Sequence, residues 1–248
     1  MQQLLPGEDI IYFGDGAHIP YGNYPRQRII HMARYMFEFM EQQQVKALMI
    51  ACNTISCLVE SCEDVVSCPV FNAVQAGADA ASRLDVEKVG VISTVFTHNS
   101  RCYPRKIQQQ NPKKLVILSC GCPDLARLVE HNLGDSVGMA EVEENLRLEL
   151  DGMVREGIEC LVLGCTHYPL VEDRIHKLYP ELELIDPAKQ MALDLVEYLK
   201  ENDLSAQRRT AGTLRIYTTG DVEEYALRAK QVGLKQVREV LSWPAANV

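Results

Sequence analysis

The sequence predicts an α/β fold with a mostly parallel sheet. Six short, unbroken runs of mainly Val, Ile and Leu are typical of strands that are buried on both faces. They occupy residues 10–13, 47–51, 89–93, 115–119, 160–164 and 214–217. Helical apolar stripes lie between them, at Ile29, Ala33, Met36, Phe37 and Met40, at Val142, Leu146, Leu150 and Val154, and at Ala192, Leu195, Val196 and Leu199. This strand–helix alternation indicates parallel strands joined by helices.

Two strand ends have similar sequences. Residues 45–54 read VKALMIACNT and residues 159–167 read ECLVLGCTH. Each is an apolar run, a small residue, a Cys and two polar residues. The repetition suggests two similar α/β units, each with a thiol at the carboxyl end of a strand, where open α/β sheets bind ligands. Two facing thiols, Cys52 and Cys165, would supply the proton acceptor and the proton donor needed to invert a carbon centre.

The composition is that of a globular protein. The chain has 248 residues, 47% hydrophobic and 24% charged, with a net charge of −9. That charge argues against a nucleic-acid surface, yet backbone N–H groups at helix starts still bind small anions. No apolar run reaches the roughly 20 residues of a membrane helix. The start MQQLLPGED lacks the pattern of a signal peptide, so a cytoplasmic location without membrane contact is expected.

Cysteine usage does not predict a metal site. The nine cysteines include no CxxC pair, and Cys120-Gly121-Cys122 is too closely spaced for standard structural zinc sites. Cys57, Cys62 and Cys68 are interpreted as small buried hydrophobic residues in a reducing compartment.

The segments that follow the two thiols offer further candidates. Asn53 or Thr54 can cap a helix over residues 56–63, and the amides there can hold a carboxylate. Thr166 can cap a helix that starts near Pro169, and His167 can lower the pKa of Cys165 below its usual value of about 8.5. A buried structural Cys in a capped turn and a structural His are the alternatives. The two motifs together favour the functional interpretation.

Other positions carry weaker signals. In the loop YFGDGAHIPYG at residues 12–22, Tyr21 and Gly22 could present amides to an anion. Thr94 and Thr97, after the strand in VISTVFT, could bind a carboxylate, although capping is the more common role. Glu130 ends a predicted helix over 123–130. Five histidines have no partner motif: His18, His31, His98, His131 and His176.

The chain has no low-complexity linker, and its best domain crossings lie near residues 74–75 and 186–187. This predicts a first domain of residues 1–75 plus 187–248 and a second domain of residues 76–186.

Five motifs together resemble the glutamate racemases of the aspartate/glutamate racemase superfamily. They are YFGD…PYG at 12–22, ACNT at 51–54, CP-x₅-VE at 122–130, GCTHYP at 164–169 and TTGD at 218–221, in family order over almost the whole chain. The resemblance implies two α/β domains that face each other across a cleft. It implies racemisation of glutamate without a cofactor, with D-glutamate supplied for peptidoglycan, the bacterial cell wall and cell shape.

The resemblance also implies roles for individual residues. Cys52 would be the base for one enantiomer and Cys165 for the other, with His167 assisting Cys165 and Glu130 as a second acidic helper. The substrate would be held by Asn53, Thr54, Thr166, His167, Tyr21 and Gly22, with Thr94 and Thr97 as weaker assignments. The only partner expected is the small-molecule substrate, and a homodimer is left open.

The sequence departs from the family at its start, where a strand carrying Asp-Ser-Gly normally precedes the segment LPGEDIIYFGD. A start further upstream, or a short form that cannot activate Cys52, would explain the difference, and we favour the former. The competing functions are a non-catalytic protein that binds an acidic ligand, a racemase for aspartate and, ranked last, a cysteine-rich metal binder.

Overall fold

The α/β prediction is confirmed by the computed structural model, which describes residues 1–111, 116–132, 135, 137–208 and 210–247. The strands are β1 (Ile10–Gly14), β2 (Leu48–Ile50), β3 (Val70–Asn72), β4 (Lys88–Ser93), β5 (Val116–Gly121), β6 (Cys160–Gly164), β7 (Glu183–Ile185), β8 (Leu214–Thr218) and β9 (Val237–Ser242). All six predicted strands are present, although Leu115, the first residue of one of them, lies outside the described residues. Strands β3, β7 and β9 were not predicted.

The helices alternate with the strands. They are α1 (Arg26–Gln42), α2 (Asn53–Ser56), α3 (Ala73–Arg83), α4 (Val95–Ser100), α5 (Cys102–Gln110), α6 (Leu125–Asn132), α7 (Gly138–Arg155), α8 (Glu172–Leu178), α9 (Pro187–Glu201) and α10 (Val222–Gln231). The three predicted stripes lie on α1, α7 and α9. None of the helices in the described ranges is long and apolar enough to cross a membrane.

The described strands form three parallel sheets, with the orders β1-β8-β9, β2-β3 and β5-β4-β6-β7. In the four-stranded sheet, Ser93 at the end of β4 pairs with Gly121 of β5 and with Gly164 of β6. These three strands therefore end in one row. The residues that follow them, Cys122, Thr94 and Cys165, begin the loops at the carboxyl edge, where ligands of such sheets bind.

The four-stranded sheet is covered on both faces. Side chains alternate along β6, so that Leu161 and Leu163 join one apolar cluster while Cys160 and Val162 join another. The first cluster includes residues of α6 and α7, and the second includes residues of α3 and α5. Burial on both faces explains why β4 and β6 read as unbroken apolar runs rather than as alternating patterns.

The chain divides into two compact units. The first consists of Met1–Lys46, Cys62–Cys68 and Ala192–Val248, and the second of Ala47–Ser61 and Pro69–Met191. In the first unit, Phe39 of α1 packs against Phe13, Tyr217 and Trp243, with ring centroids 5.0, 4.8 and 4.6 Å apart. The second unit contains β2 and α2 as well as the four-stranded sheet. The predicted domain division assigned β2 and α2 to the first domain, and that division stays a prediction.

One cysteine interpretation was wrong. Cys57 forms a disulfide with Cys102, whereas Cys62 and Cys68 have free thiols as expected. Cys62 is buried, and Cys68 is only half-buried.

Candidate active site

Cys52 lies between β2 and α2, in the turn where the chain leaves the strand. It occupies the N-cap position of α2, with φ −71° and ψ 118°. Loss of solvation in the surrounding protein raises the pKa of its thiol. The N–H groups of Ile55 and Thr54 and the Thr54 hydroxyl lower this pKa. The predicted helix over residues 56–63 was wrong. The helix begins at Asn53, so that Cys52 itself precedes it, and separate 3₁₀ turns follow.

Cys165 follows β6 and is buried, with 6% of its surface exposed. Burial raises the pKa of its thiol to about 11, and negative charge on Cys52 adds to the increase. The N–H groups of His167 and Thr166 and the Thr166 hydroxyl lower it. Each thiol therefore has its own donors, supplied by the residues that follow it, and the ionisation of one thiol opposes that of the other.

His167 connects Cys165 to an acidic side chain. Its Nδ1 lies 3.7 Å from the Cys165 sulfur, and its Nε2 lies 3.6 Å from a carboxylate oxygen of Glu130 on α6. The predicted helix near Pro169 begins as a 3₁₀ helix, Tyr168–Val171, with His167 at the position before it. The prediction that Thr166 caps this helix was wrong, because Thr166 lies one residue too early and its hydroxyl interacts with the thiol instead.

Three threonine hydroxyls form a chain beside Cys52. The Thr94 hydroxyl accepts a hydrogen bond from the Thr97 N–H at 3.3 Å and thereby caps α4. It also donates to the Thr97 hydroxyl at 3.1 Å and lies 3.4 Å from the Thr54 hydroxyl. The capping role expected for Thr94 is therefore confirmed. The structure brings Thr54 of α2 together with Thr94 and Thr97 at the start of α4, which are 40 or more residues away in sequence.

Asn53 is held by a residue that the sequence did not single out. The Tyr103 hydroxyl donates a 2.6 Å hydrogen bond to Asn53 Oδ1, and both side chains are buried. Tyr103 lies on α5, and the same hydroxyl is 3.4 Å from the Ala73 carbonyl oxygen. The bond fixes the orientation of the Asn53 amide directly after Cys52. No local motif announces it, because the partners lie 50 residues apart.

Tyr21 and Gly22 belong to the first unit, where they form a 3₁₀ helix with Asn23. The buried Asp15 organises this loop, since its carboxylate accepts hydrogen bonds from the Tyr21 hydroxyl at 2.9 Å and the Thr219 hydroxyl at 2.6 Å. His18, to which the sequence assigned no partner, lies 2.9 Å from the same carboxylate. Asp15 belongs to the motif YFGD and Thr219 to the motif TTGD. Their hydrogen bond places the two motifs at the same loop. The substrate contacts of Tyr21 and Gly22 stay a prediction.

Comparison with known proteins identifies the family. Residues 2–194 match the family described as Asp/Glu/Hydantoin racemase. The chain belongs to the Asp/Glu/Hydantoin racemase family. The glutamate racemase of Thermoanaerobacter sp. (strain X514) is 34% identical over 242 residues, which are 96% of this chain and 89% of the relative. A chain of this racemase family is an enzyme of the isomerase class.

Solved racemase structures agree with the fold. The crystal structure of glutamate racemase from Francisella tularensis subsp. tularensis SCHU S4 in complex with D-glutamate matches with a TM-score of 0.85 and 31% identity, over 99% of this chain and 90% of that one. Glutamate racemase from Thermus thermophilus in complex with β-chloro-D-alanine gives a TM-score of 0.85 and 33% identity, over 98% and 90% of the two chains.

Proposed function

We propose that this racemase interconverts L- and D-glutamate with Cys52 and Cys165 as its two acid–base groups. The observation that carries the proposal is the pair of thiols in one compact unit, each with its own donors, with negative charge on Cys52 raising the pKa of Cys165. The substrate is taken from the relatives of similar length, which are named glutamate racemase, and from the Francisella structure with D-glutamate.

The mutual charge sensitivity suits a two-base reaction. Two interacting acids lose their protons in two separated steps, so that one thiolate and one thiol coexist over a range of pH. The thiolate removes the Cα proton of glutamate from one face, and the thiol delivers its own proton to the opposite face. After one turnover the two sulfurs have exchanged protonation states, and the enzyme is ready for the reverse reaction.

The local donors make a thiolate accessible in spite of burial. N–H groups and a hydroxyl that face each sulfur stabilise negative charge there, and they do so without reorganising during the reaction. At Cys165 we assign His167 and Glu130 a helping role. The Glu130 carboxylate lies 3.6 Å from Nε2 of His167 and orients the ring, whose Nδ1 lies 3.7 Å from the Cys165 sulfur. Asn53, Thr54, Thr94, Thr97, Thr166, Tyr21 and Gly22 are proposed to hold the carboxylates and the amine of the substrate.

The cellular role follows from the proposed product. D-glutamate is a building block of peptidoglycan, so we place the enzyme in the bacterial cytoplasm, where it would supply cell-wall precursors.

A chiral assay tests this proposal. The purified chain is incubated with L-glutamate, with D-glutamate and, as a comparison, with L-aspartate, and both enantiomers are quantified by chiral chromatography. We expect each glutamate enantiomer to reach an equal mixture, and we expect Cys52→Ala and Cys165→Ala each to abolish the reaction, while Cys68→Ser retains it.

Three results would contradict the proposal. Full racemisation by either alanine variant would rule out the two-thiol mechanism. A folded protein that binds glutamate without racemising it would show the non-catalytic alternative, and faster racemisation of aspartate would change the substrate.

A further inference from the structure

A second group of potential metal ligands lies apart from Cys52 and Cys165. It consists of Cys120, Cys122 and Glu149, whose ligand atoms all lie within 4.8 Å of one another. The Cys120 thiol donates a 2.9 Å hydrogen bond to a carboxylate oxygen of Glu149. Cys120 is in β5 and Cys122 directly follows that strand, whereas Glu149 comes from α7. The cluster therefore joins a strand to a helix that is distant in sequence.

The placement of the two cysteines follows from strand geometry. Residues two positions apart in an extended chain lie on the same face, so a Cys-Gly-Cys sequence directs both sulfurs toward one point. Glu149 lies between Leu146 and Leu150 on α7, and both of these are fully buried in the same apolar cluster as Cys122. A carboxylate and two thiols in such surroundings lose solvation that a bound cation would replace.

Tyr168 provides an independent observation at the same place. Its side chain is fully buried, and its hydroxyl makes no well-formed hydrogen bond among the described residues. Beside it lies the Cys122 sulfur, which is a weak acceptor, and Glu149 is within electrostatic reach. A buried hydroxyl with only a weak acceptor beside it calls for a better partner. A ligand atom at the cluster would satisfy it.

We propose that Cys120, Cys122 and Glu149 bind one divalent cation of the borderline-soft class, of which Zn²⁺ is the best example. Two thiolates and one carboxylate oxygen are ligands that Zn²⁺ prefers, with bonds of about 2.3 Å to sulfur and about 2.0–2.2 Å to oxygen. The Tyr168 hydroxyl or a water molecule takes the fourth position. On binding, the two thiol protons are released to solvent, and the metal takes their place on the sulfurs.

This site was not predicted because its third ligand is not local. The Cys-Gly-Cys spacing differs from the pairs found in zinc ribbons, and the sequence alone therefore argued against a metal. Only the packing of α7 against the end of β5 brings Glu149 to the thiols. The inference is independent of the proposed racemisation, and the ion has no part in that reaction. Its role would be structural, since it would tether α7 to β5.

Cobalt substitution tests the proposal with a direct signal from the metal–sulfur bond. The full chain is reduced, freed of metal with a chelator and titrated with Co²⁺ without oxygen. We expect thiolate-to-cobalt charge-transfer absorption that saturates at one equivalent and disappears when Zn²⁺ is added. Metal analysis of the protein as purified should find about one zinc per chain.

Matched variants locate the site. Cys120→Ser, Cys122→Ser and Glu149→Gln should each weaken Zn²⁺ binding at least about tenfold, which is the effect typical of losing a ligand or its support. Cys68→Ser, Cys52→Ala and Glu144→Gln, the last on an exposed position of α7, should bind cobalt like the parent chain. Circular dichroism shows whether each variant is folded. If a serine variant is not folded, the comparison of metal binding uses Glu149→Gln instead.

Three outcomes would overturn the proposal. They are a folded, reduced parent chain without the cobalt–thiolate band, a folded Cys120→Ser chain that binds cobalt with the intensity and affinity of the parent, and a band that is lost in Cys52→Ala. The last would assign the metal to the catalytic thiols. Because racemisation is measured separately, failure here leaves the proposed function untouched.

Discussion

At Cys165, burial and a neighbouring negative charge both oppose ionisation, and the donors that follow the residue in sequence only partly offset them. The outcome is a thiol whose pKa is raised to about 11. Such a group is mostly protonated at neutral pH and is therefore suited to donate a proton. It becomes a base only when Cys52 is protonated and His167 and Thr166 stabilise the thiolate. The roles of the two residues thus depend on their environments rather than on residue type.

The reactivity of Cys165 should follow this raised pKa. In Cys52→Ala, alkylation of Cys165 by iodoacetamide should rise about tenfold per pH unit from pH 7 to pH 9, because only the thiolate reacts. Burial, the largest cause of the shift, remains in this variant. Adding Thr166→Val should slow the reaction at each pH, since it removes a hydroxyl that lowers the pKa. Peptide mass spectrometry measures the rate, and a plateau below pH 8 would contradict the account.

Tyr103 should affect both stability and catalysis. Tyr103→Phe removes the hydrogen bond to Asn53 and should lower the free energy of unfolding by about 1 kcal/mol. It should also lower kcat/KM, because Asn53 directly follows Cys52. Tyr179→Phe is a matched control, since its hydroxyl donates an equally short bond of 2.6 Å to Asp151. Urea unfolding measures the effect on stability, and racemisation rates measure the effect on catalysis. An equal loss of activity in both variants would show that Tyr103 affects activity only through the stability of the fold.

Part of the site was predictable from single residues, and part was not. Cys52 and Cys165 stand out because both motifs place Cys at the end of an apolar run, and His167 is two residues away. The pairs Tyr103–Asn53 and Thr54–Thr94 were not predictable. They join α2 to residues that follow β4, and only the packing of these distant segments brings the side chains together.

At the level of elements, the end of β6 depends on a glycine. A Cβ atom at Gly164 would lie 2.7 Å from the Ile92 carbonyl oxygen and 3.0 Å from the Ser93 Cβ. The nearest of these atoms belongs to the backbone of the neighbouring strand β4. Relieving the contact would therefore shift β4 and displace Thr94, which directly follows it. A residue with a side chain would therefore shift the loop that carries Cys165.

Gly164→Ala should destabilise the protein by about 1–3 kcal/mol, the usual cost of overpacking a core. It should also reduce racemisation. Gly152→Ala is the control: it lies on an exposed position of α7, its Cβ would meet nothing within 4 Å, and it should stabilise by roughly 0.5–1 kcal/mol. Thermal unfolding of both variants checks the pair. A Gly164→Ala chain as stable and active as the parent would contradict the packing argument.

The predicted and missed elements differ in length and pattern. Long helices with a complete apolar stripe, such as α1 and α7, and strands buried on both faces, such as β4 and β6, were predicted. Strands β3 and β7 have three residues each and, unlike the equally short β2, they do not lie within an unbroken apolar run of five residues. Strand β9 reads VREVLS, in which charged residues interrupt the apolar run. Its identity as a strand comes from pairing with β8 rather than from its own sequence.

At the level of the whole molecule, the repetition of the thiol motif led to a prediction of two domains with one thiol each. The contacts group both thiols in the unit that contains Ala47–Ser61 and Pro69–Met191, while the predicted domain division stays a prediction. The sequence shows which strands resemble each other, but not which helices and loops pack most closely around them. Contacts between distant segments decide that grouping.

The symmetry of the overall reaction constrains every variant. L- and D-glutamate are mirror images, so their equilibrium constant is one, and kcat/KM must change equally in the two directions. Glu130→Gln, which weakens support for His167, should lower both values by about tenfold, in the range of lost supporting hydrogen bonds. Glu144→Gln should leave both unchanged. Initial rates from each enantiomer provide the check, and an unchanged rate in Glu130→Gln would remove Glu130 from the mechanism.

The most direct test of two-thiol racemisation is the isotope content of the first product formed in D₂O. The enzyme converts L-glutamate, and separately D-glutamate, to a small extent, the two enantiomers are separated by chiral chromatography, and mass spectrometry measures the deuterium at Cα in each. Because one thiol takes the proton and the other delivers a deuteron from solvent, the early product should carry deuterium at Cα while the remaining substrate keeps its proton. Product that retains the original Cα proton would require a single base serving both faces and would contradict the mechanism.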